Sequence, residues 1–263
     1  MPSDRPPLVV ERSGGVATVR LDRPEVRNAF DETLASALEL AFRFLGHEAA
    51  VRVVMLRGSG DFFCAGGDLG WMKRAGALPL PENRADARAF AGAFAAVDGC
   101  PKPVVARVAG AALGGGAGLV AACDVAVSAE SAVFGFPEVK LGLIPAAISP
   151  YVIPKIGWSQ ARRLFLTGER FDARTAAALG LVHRVVPDAA LDAAVDETVQ
   201  LLLANGPAAC ARAKALVRQL NALAPSRSLL DLTAGAIAEA RASAEAHEGI
   251  AAFLEKRKPK WAP

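Results

Sequence analysis

The chain has little of what metal and nucleophilic chemistry usually draws on. It holds three histidines, His47, His183 and His247, and no H-E-x-x-H pair, which excludes zinc hydrolases of that type. It has no G-x-S-x-G, which removes serine hydrolases built on a nucleophile elbow. Its four cysteines, Cys64, Cys100, Cys123 and Cys210, form no C-x-x-C pair. Free thiols in a reducing cytosol follow, and Cys64 reads as a small buried apolar residue. Charge of one sign is also missing: 30 Lys and Arg against 27 Asp and Glu leave +3. That suits an anionic ligand but gives no basic stripe for nucleic acid. No apolar run spans a membrane, since Ala89 to Val97 is cut by Gly92 and followed by Asp98. Met1 to Pro7 has no apolar stretch, so no leader is expected. Disorder is excluded as well, because 52% of the residues are hydrophobic and 22% charged. The 263 residues allow one large domain, or a core with an appendage.

What the chain does have is two loops of one design. Arg52-Val-Val-Met-Leu-Arg57 reads as a buried strand and runs into Asp61-Phe-Phe-Cys-Ala-Gly-Gly-Asp-Leu69. Asp68 there can cap a helix through Lys73. Pro103 to Val108 is a second strand, Ala109 to Gly116 a glycine-rich loop, and Ala117 to Ala122 a helix start. Glycines let backbone approach a ligand, and a helix N-terminus offers unpaired N–H groups. One N–H from each loop can converge on one oxygen as a main-chain oxyanion hole. Glycine loops also occur in any α/β protein, so neither loop alone decides. A dinucleotide fingerprint fails, because Gly114-x-Gly116 requires glycine or alanine where Leu119 stands.

In chain order, Leu8–Arg12 and Val16–Leu21 flank Gly14-Gly15 as a hairpin. Asp31 caps a helix to Gly46 that buries Leu34, Leu38, Ala41, Phe42 and Leu45. Residues 75–81 read as a mobile connector, followed by a helix from Asn83 to Val97. On that helix Arg84 and Arg88 read as a solvated face. Strands are expected over 124–128 and 132–135, then a loop region over 136–150 carrying one carboxylate, Glu138. A helix over 151–166 is interrupted near Pro154 and Gly157, a short one runs from Asp172 to Leu179, and a short strand starts at His183. From Asp188 onward four helices follow without strands: 188–204, 207–220, 226–242 and 246–256.

Five pieces in register resemble the crotonase (enoyl-CoA hydratase/isomerase) superfamily. They are Arg23-Pro24 with Asn28-Ala29, Phe63-Cys-Ala-Gly-Gly-Asp-Leu69, Ala112-Leu-Gly-Gly-Gly116 with Cys123-Asp124, Phe136-Pro-Glu138 with Gly142 and Pro145, and Phe253-Leu-Glu-Lys-Arg-Lys258. The resemblance covers about Val16 to Trp261. It implies an α/β spiral of repeated ββα units, with residues 1–199 as the core carrying both loops. It implies a helical trimerisation region over 200–263, in trimers or dimers of trimers. The substrate implied is an acyl-CoA thioester, with coenzyme A part of the substrate and no separate cofactor or metal. The N–H groups of Gly67 and Gly115 form the oxyanion hole, and Glu138 moves the proton. The thioester and its coenzyme A meet Arg27, Ala29, Ala65, Asp68, Leu69 and Gly70, with Lys256 and Lys258 at the nucleotide end. A cytoplasmic location, no membrane and no nucleic-acid partner complete the expectation.

One departure stands out. The typical hydratase is expected to carry a first glutamate three residues after the central glycine of the second loop, and here that position is Gly118. One carboxylate suits a 1,3-proton shuttle, which favours an isomerase. Against this, Leu141 to Val152 looks closer to the branch that hydrates methylglutaconyl-type thioesters. A substrate with a second carboxylate would want a cation, and Lys73, Arg74 and Lys140 are the candidates. Three readings stay open: a hydratase acting through Glu138, a 3-enoyl to 2-enoyl isomerase, and a weakly catalytic CoA- or RNA-binding relative.

Overall fold

The computed structural model describes residues 6–220 and 244–261. β1 (Leu8–Ser13) and β2 (Val16–Leu21) form the hairpin, turning on Gly14 and Gly15 at positive φ. β3 (Val53–Gly58), β4 (Val104–Val108), β6 (Val125–Ala129) and β9 (Arg184–Val186) follow in parallel and complete a sheet of order β1-β2-β3-β4-β6-β9. A second sheet, β5-β7-β8, is built from β5 (Ala111–Leu113), β7 (Val133–Gly135) and β8 (Arg170–Asp172). Each middle turn of chain gives one strand to each sheet and then a helix: β4, β5 and α4 (Gly115–Ala122), then β6, β7 and α5 (Ser149–Thr167). That repetition is the expected spiral.

Alternation along the strands decides the layers. Val54, Leu56, Val104 and Ala106 face one way and pack with α1 (Glu32–His47), α4 and α3 (Leu80–Gly99). Val53, Val105 and Val127 face the other way and pack on Leu191, Val195, Val199 and Leu203 of α7 (Leu191–Leu203). Positions 199 and 200, the expected domain boundary, lie inside this helix, so α7 belongs to the core it covers.

Several element limits differ from the sequence reading. α3 starts at Leu80, because Pro79 precedes it and Pro81 sits in its first turn, where a missing N–H costs nothing. The connector after α2 (Leu69–Gly76) therefore shrinks to residues 77–79. β5 lies inside what reads as continuous loop, and β8 precedes α6 (Ala173–Ala178). α5 starts at Ser149, two residues earlier than expected, and is broken at Gly157, where φ 74° and ψ 159° are not helical, as the sequence reading had it. The expected helix over 226–242 lies outside the described residues. α8 (Pro207–Leu220) buries none of its residues and is tied to the core by ion pairs, Lys214 to Asp124 at 2.7 Å and Arg218 to Asp98 at 3.1 Å. α9 (Ala244–Leu254) caps α8 through Glu245, which accepts the N–H groups of Ala208 and Ala209.

Asn28 fixes the segment that the first glycine loop leans on. It is fully buried in the left-handed region at φ 55°, a conformation asparagine tolerates better than most residues. Its amide donates to the carbonyls of Ser59 and Phe62 at 2.9 and 2.7 Å, and its oxygen accepts from the Arg23 N–H at 3.0 Å. Asn28→Ala leaves those buried groups unpaired, at a cost of about 3 kcal/mol. The expected fall in Tm is roughly 6–12 °C by calorimetry. A shift under about 2 °C would show that the amide holds nothing together.

Candidate active site

The site is assembled by main-chain pairing. Phe30 forms a parallel bridge with Gly67: its N–H donates to the Gly66 carbonyl at 2.7 Å, and its carbonyl accepts the Asp68 N–H at 2.6 Å. In an extended segment successive N–H groups point to opposite edges, so the Gly67 N–H faces away from Phe30. Cys64 forms a second bridge, with Ala112 of β5, through Cys64 N–H to the Ala111 carbonyl and Leu113 N–H to the Cys64 carbonyl, each 3.0 Å. The two glycine loops are thus sewn together three residues before Gly67 in one and three before Gly115 in the other.

Gly115 opens α4, so its N–H has no acceptor within the helix. Gly114 caps the helix at φ 49° and ψ −118°, a backbone only glycine adopts readily. Gly116 must also lack a side chain, since a Cβ there would lie 2.2 Å from the Cys64 carbonyl oxygen. Beneath Gly115 sits an aromatic floor of Phe30, Phe90 and Phe94, with ring centroids 5.0–5.5 Å apart.

Register brings up the carboxylate. β5 pairs with β7, Leu113 opposite Gly135, and the Gly114 N–H donates to the Gly135 carbonyl at 2.9 Å. Phe136 then leads into a 3-10 turn, Pro137–Leu141, that carries Glu138. A Cβ on Gly114 would lie 2.9 Å from Glu138 Oε1, so the missing side chain lets the carboxylate close on the helix start. Its other oxygen, Oε2, is buried with no hydrogen-bond partner among the described residues. Desolvation by burial holds the Glu138 pKa above the ordinary carboxylate range. A half-buried carboxylate with one unpartnered oxygen and a raised pKa is equipped to take and return a proton.

These groups open on one cavity of about 1300 Å³. Gly67, Gly115 and Glu138 line it, as do Ala29, Ala65, Asp68 and Leu69. Asp68 caps α2, accepting the Trp71 N–H at 2.8 Å. Arg27 is exposed over the Phe62 ring at 5.1 Å, outside the lining, and Gly70 is also outside it. Lys256 and Lys258 lie exposed beyond the end of α9. Cys64 is wholly buried and its thiol is pushed up to about 12, so it is not a nucleophile.

The cations stand differently from the sequence reading. None of Lys73, Arg74 and Lys140 lines the cavity; Arg74 pairs with Glu32 at 3.0 Å, and Lys140 packs against Gly168. Arg84 and Arg88 do line it, together with Ala87 and Ala91. These four positions form one stripe of α3, a spacing readable in the sequence once the helix is known to face the site. Trp71, Met72 and Ile148 line it too and gave no comparable signal.

Residues 11–263 match the family described as enoyl-CoA hydratase/isomerase. Among solved structures, Pseudomonas aeruginosa AtuE superposes with a TM-score of 0.93 at 42% identity, covering 98% of this chain and 100% of that one. An enoyl-CoA hydratase from Shewanella pealeana gives 0.93 at 40% identity, covering 97% and 96%. The 2,3-dehydroadipyl-CoA hydratase of Escherichia coli is 35% identical over 263 residues, 96% of this chain and 97% of that protein. The chain belongs to the enoyl-CoA hydratase/isomerase family.

Replacing Glu138 by glutamine tests its environment apart from any reaction. A carboxylate whose folded pKa lies above its unfolded value costs stability once the pH rises past the unfolded value, and costs nothing below both. Glu138→Gln is therefore expected to raise Tm at pH 7 by a few degrees, with the gain gone near pH 3. A loss of stability at pH 7 would mean that the carboxylate is paired in solution.

Proposed function

We propose that this family member adds water across the 2,3 double bond of an enoyl-CoA thioester, with Glu138 as its single acid–base group. The observation that carries this reading is the convergence of one unpaired carboxylate oxygen and two main-chain donors on a single cavity. The N–H groups of Gly67 and Gly115 hold the thioester carbonyl oxygen. Glu138 takes a proton from water as the water oxygen bonds to the β-carbon. The double-bond electrons move onto the carbonyl oxygen, where negative charge develops against the two N–H groups and the start of α4. Glu138 returns its proton to the α-carbon and the carbonyl reforms, so that H and OH have been added. Each main-chain donor is worth roughly 3–4 kcal/mol of transition-state stabilisation.

The finer reading is an acyl group ending in a second carboxylate, as in a methylglutaconyl-type thioester. Arg84 and Arg88 support it, since neither makes an ion pair or hydrogen bond among the described residues and both line the cavity. One relative is named for 2,3-dehydroadipyl-CoA, an acyl chain of that kind. At about 1300 Å³ the cavity exceeds the usual range for small-molecule sites, leaving room for a pantetheine arm and an acyl chain. Coenzyme A enters past Ala29, Ala65 and Leu69. Assembly as a trimer or a dimer of trimers would let Lys256 and Lys258 serve a neighbouring copy. The same site supports a second reading, isomerisation of a 3-enoyl thioester, because with Gly118 in place Glu138 is left to shuttle the proton: of the other carboxylates in the lining, Asp68 caps α2 and Asp86 accepts the Trp71 indole N–H at 3.0 Å.

Purified protein would be offered crotonyl-CoA, 3-methylglutaconyl-CoA and a 3-enoyl-CoA in heavy-oxygen water. Label in the product of either 2-enoyl thioester is the result expected. Conversion of the 3-enoyl thioester without label selects the isomerase, and turnover of none of the three rejects both. Glu138→Gln is expected to lower kcat at least about 100-fold, the lower range for losing a general acid–base group. Arg84→Gln with Arg88→Gln is expected to cut kcat/KM for the carboxylated substrate about 10- to 100-fold while leaving crotonyl-CoA nearly unchanged.

A further inference from the structure

Position 118 carries glycine where the family resemblance leads one to expect a carboxylate. The structure gives it a counterpart 30 residues further along the chain. Gly118 is wholly buried in the first turn of α4. A Cβ built on it would lie 2.1 Å from Ile148 Cγ2, 2.7 Å from Ile148 Cβ and 3.2 Å from Phe94 Cε1. Ile148 is itself 1% exposed, and it is Ile148, not Gly118, that lines the cavity beside Glu138. Any side chain at 118 would have to pass through the isoleucine to reach the site.

We infer that Ile148 and Gly118 are a matched pair that closes the second acid–base position of this site and confines proton transfer to Glu138. The isoleucine fills the volume with hydrocarbon, so that a water or carboxylate has no place there. Phe94, fully buried, stands behind the same volume and stacks edge-on with Phe90 at 5.0 Å. The pair also sets the dielectric around the remaining carboxylate. Among the described residues Glu138 Oε2 finds no partner in a chamber with this apolar wall. The direction of the Glu138 pKa, upward through desolvation, agrees with such a wall. The consequence for reactivity is a site in which one group must both give and take the proton, on one face of the substrate. This inference rests on the thioester reading for its chemistry, but not for its geometry.

The two parts are tested separately on the full chain. For the geometry, Tm is measured for Gly118→Ala, Ile148→Gly and the double variant. Gly118→Ala alone is expected to lose about 5 °C or more, because the added methyl overlaps Ile148. In the Ile148→Gly background the same alanine is expected to cost almost nothing, since its obstacle is gone. Equal costs in both backgrounds would overturn the pairing. For the electrostatics, Glu138 is titrated by carbon NMR of labelled glutamate, its signal assigned by its loss in Glu138→Gln. Ile148→Gly is expected to move the Glu138 midpoint down toward the ordinary carboxylate range as water enters. A midpoint that does not move would overturn the role of Ile148, whether or not the protein turns over any thioester. Last, Gly118→Glu with Ile148→Gly is expected to fold and to show a second ionisation on the acid side of the kcat profile for crotonyl-CoA. A profile with one ionisation would mean that the position is closed by something other than Ile148. If the parent protein hydrates nothing, the proposed reaction fails, while the Tm and NMR results still judge the pair.

Discussion

Everything at the site depends on where three short backbone ladders place their unpaired groups. Phe30 takes the Gly66 carbonyl and the Asp68 N–H, and so leaves the Gly67 N–H turned outward. Cys64 takes the two groups that flank Ala112, and Leu113 stands opposite Gly135. A buried donor without an acceptor is costly, which is why nearly all are paired. Here the first loop and the start of α4 each direct a donor into a cavity. The main-chain pairing around them holds them there, with the buried Asn28 amide bracing the segment behind the first loop.

That scaffolding explains the glycines at positions 114 and 116. Gly116 must admit the Cys64 carbonyl, and Gly114 must admit the Glu138 carboxylate. The helix start then faces a carboxylate whose charge it would favour, while burial opposes that charge. Burial prevails at Glu138. Its proton is thus held more tightly than on an ordinary carboxylate.

Much of this was legible in the sequence because it is local. The hairpin announces itself by Gly14-Gly15, α1 by Asp31, α2 by Asp68 and α6 by Asp172, each a cap whose side chain reaches an N–H three residues on. The loops carrying Gly67 and Gly115 show as glycines between a strand and a helix. What escaped is what long-range pairing creates. β5 is three residues in a glycine-rich stretch and is a strand only because β7 lies beside it. Ile148 reads as one apolar residue in a proline-rich loop, and only space-filling shows that it answers Gly118. Arg84 and Arg88 look like any solvated helix face until α3 is packed over the cavity.

The ladder from β5 to β7 also makes the chain's spacing into a ruler. Between Gly135, whose carbonyl is fixed by Gly114, and the turn that holds Glu138 there is only Phe136, wholly buried. Extended backbone advances about 3.3 Å per residue. One inserted residue there would carry the carboxylate a full hydrogen-bond length from its place, with the fold otherwise intact. The same insertion over 77–79, exposed residues outside the cavity lining, would leave that spacing untouched. Length is thus free to vary on the rim of this molecule and is fixed at its centre.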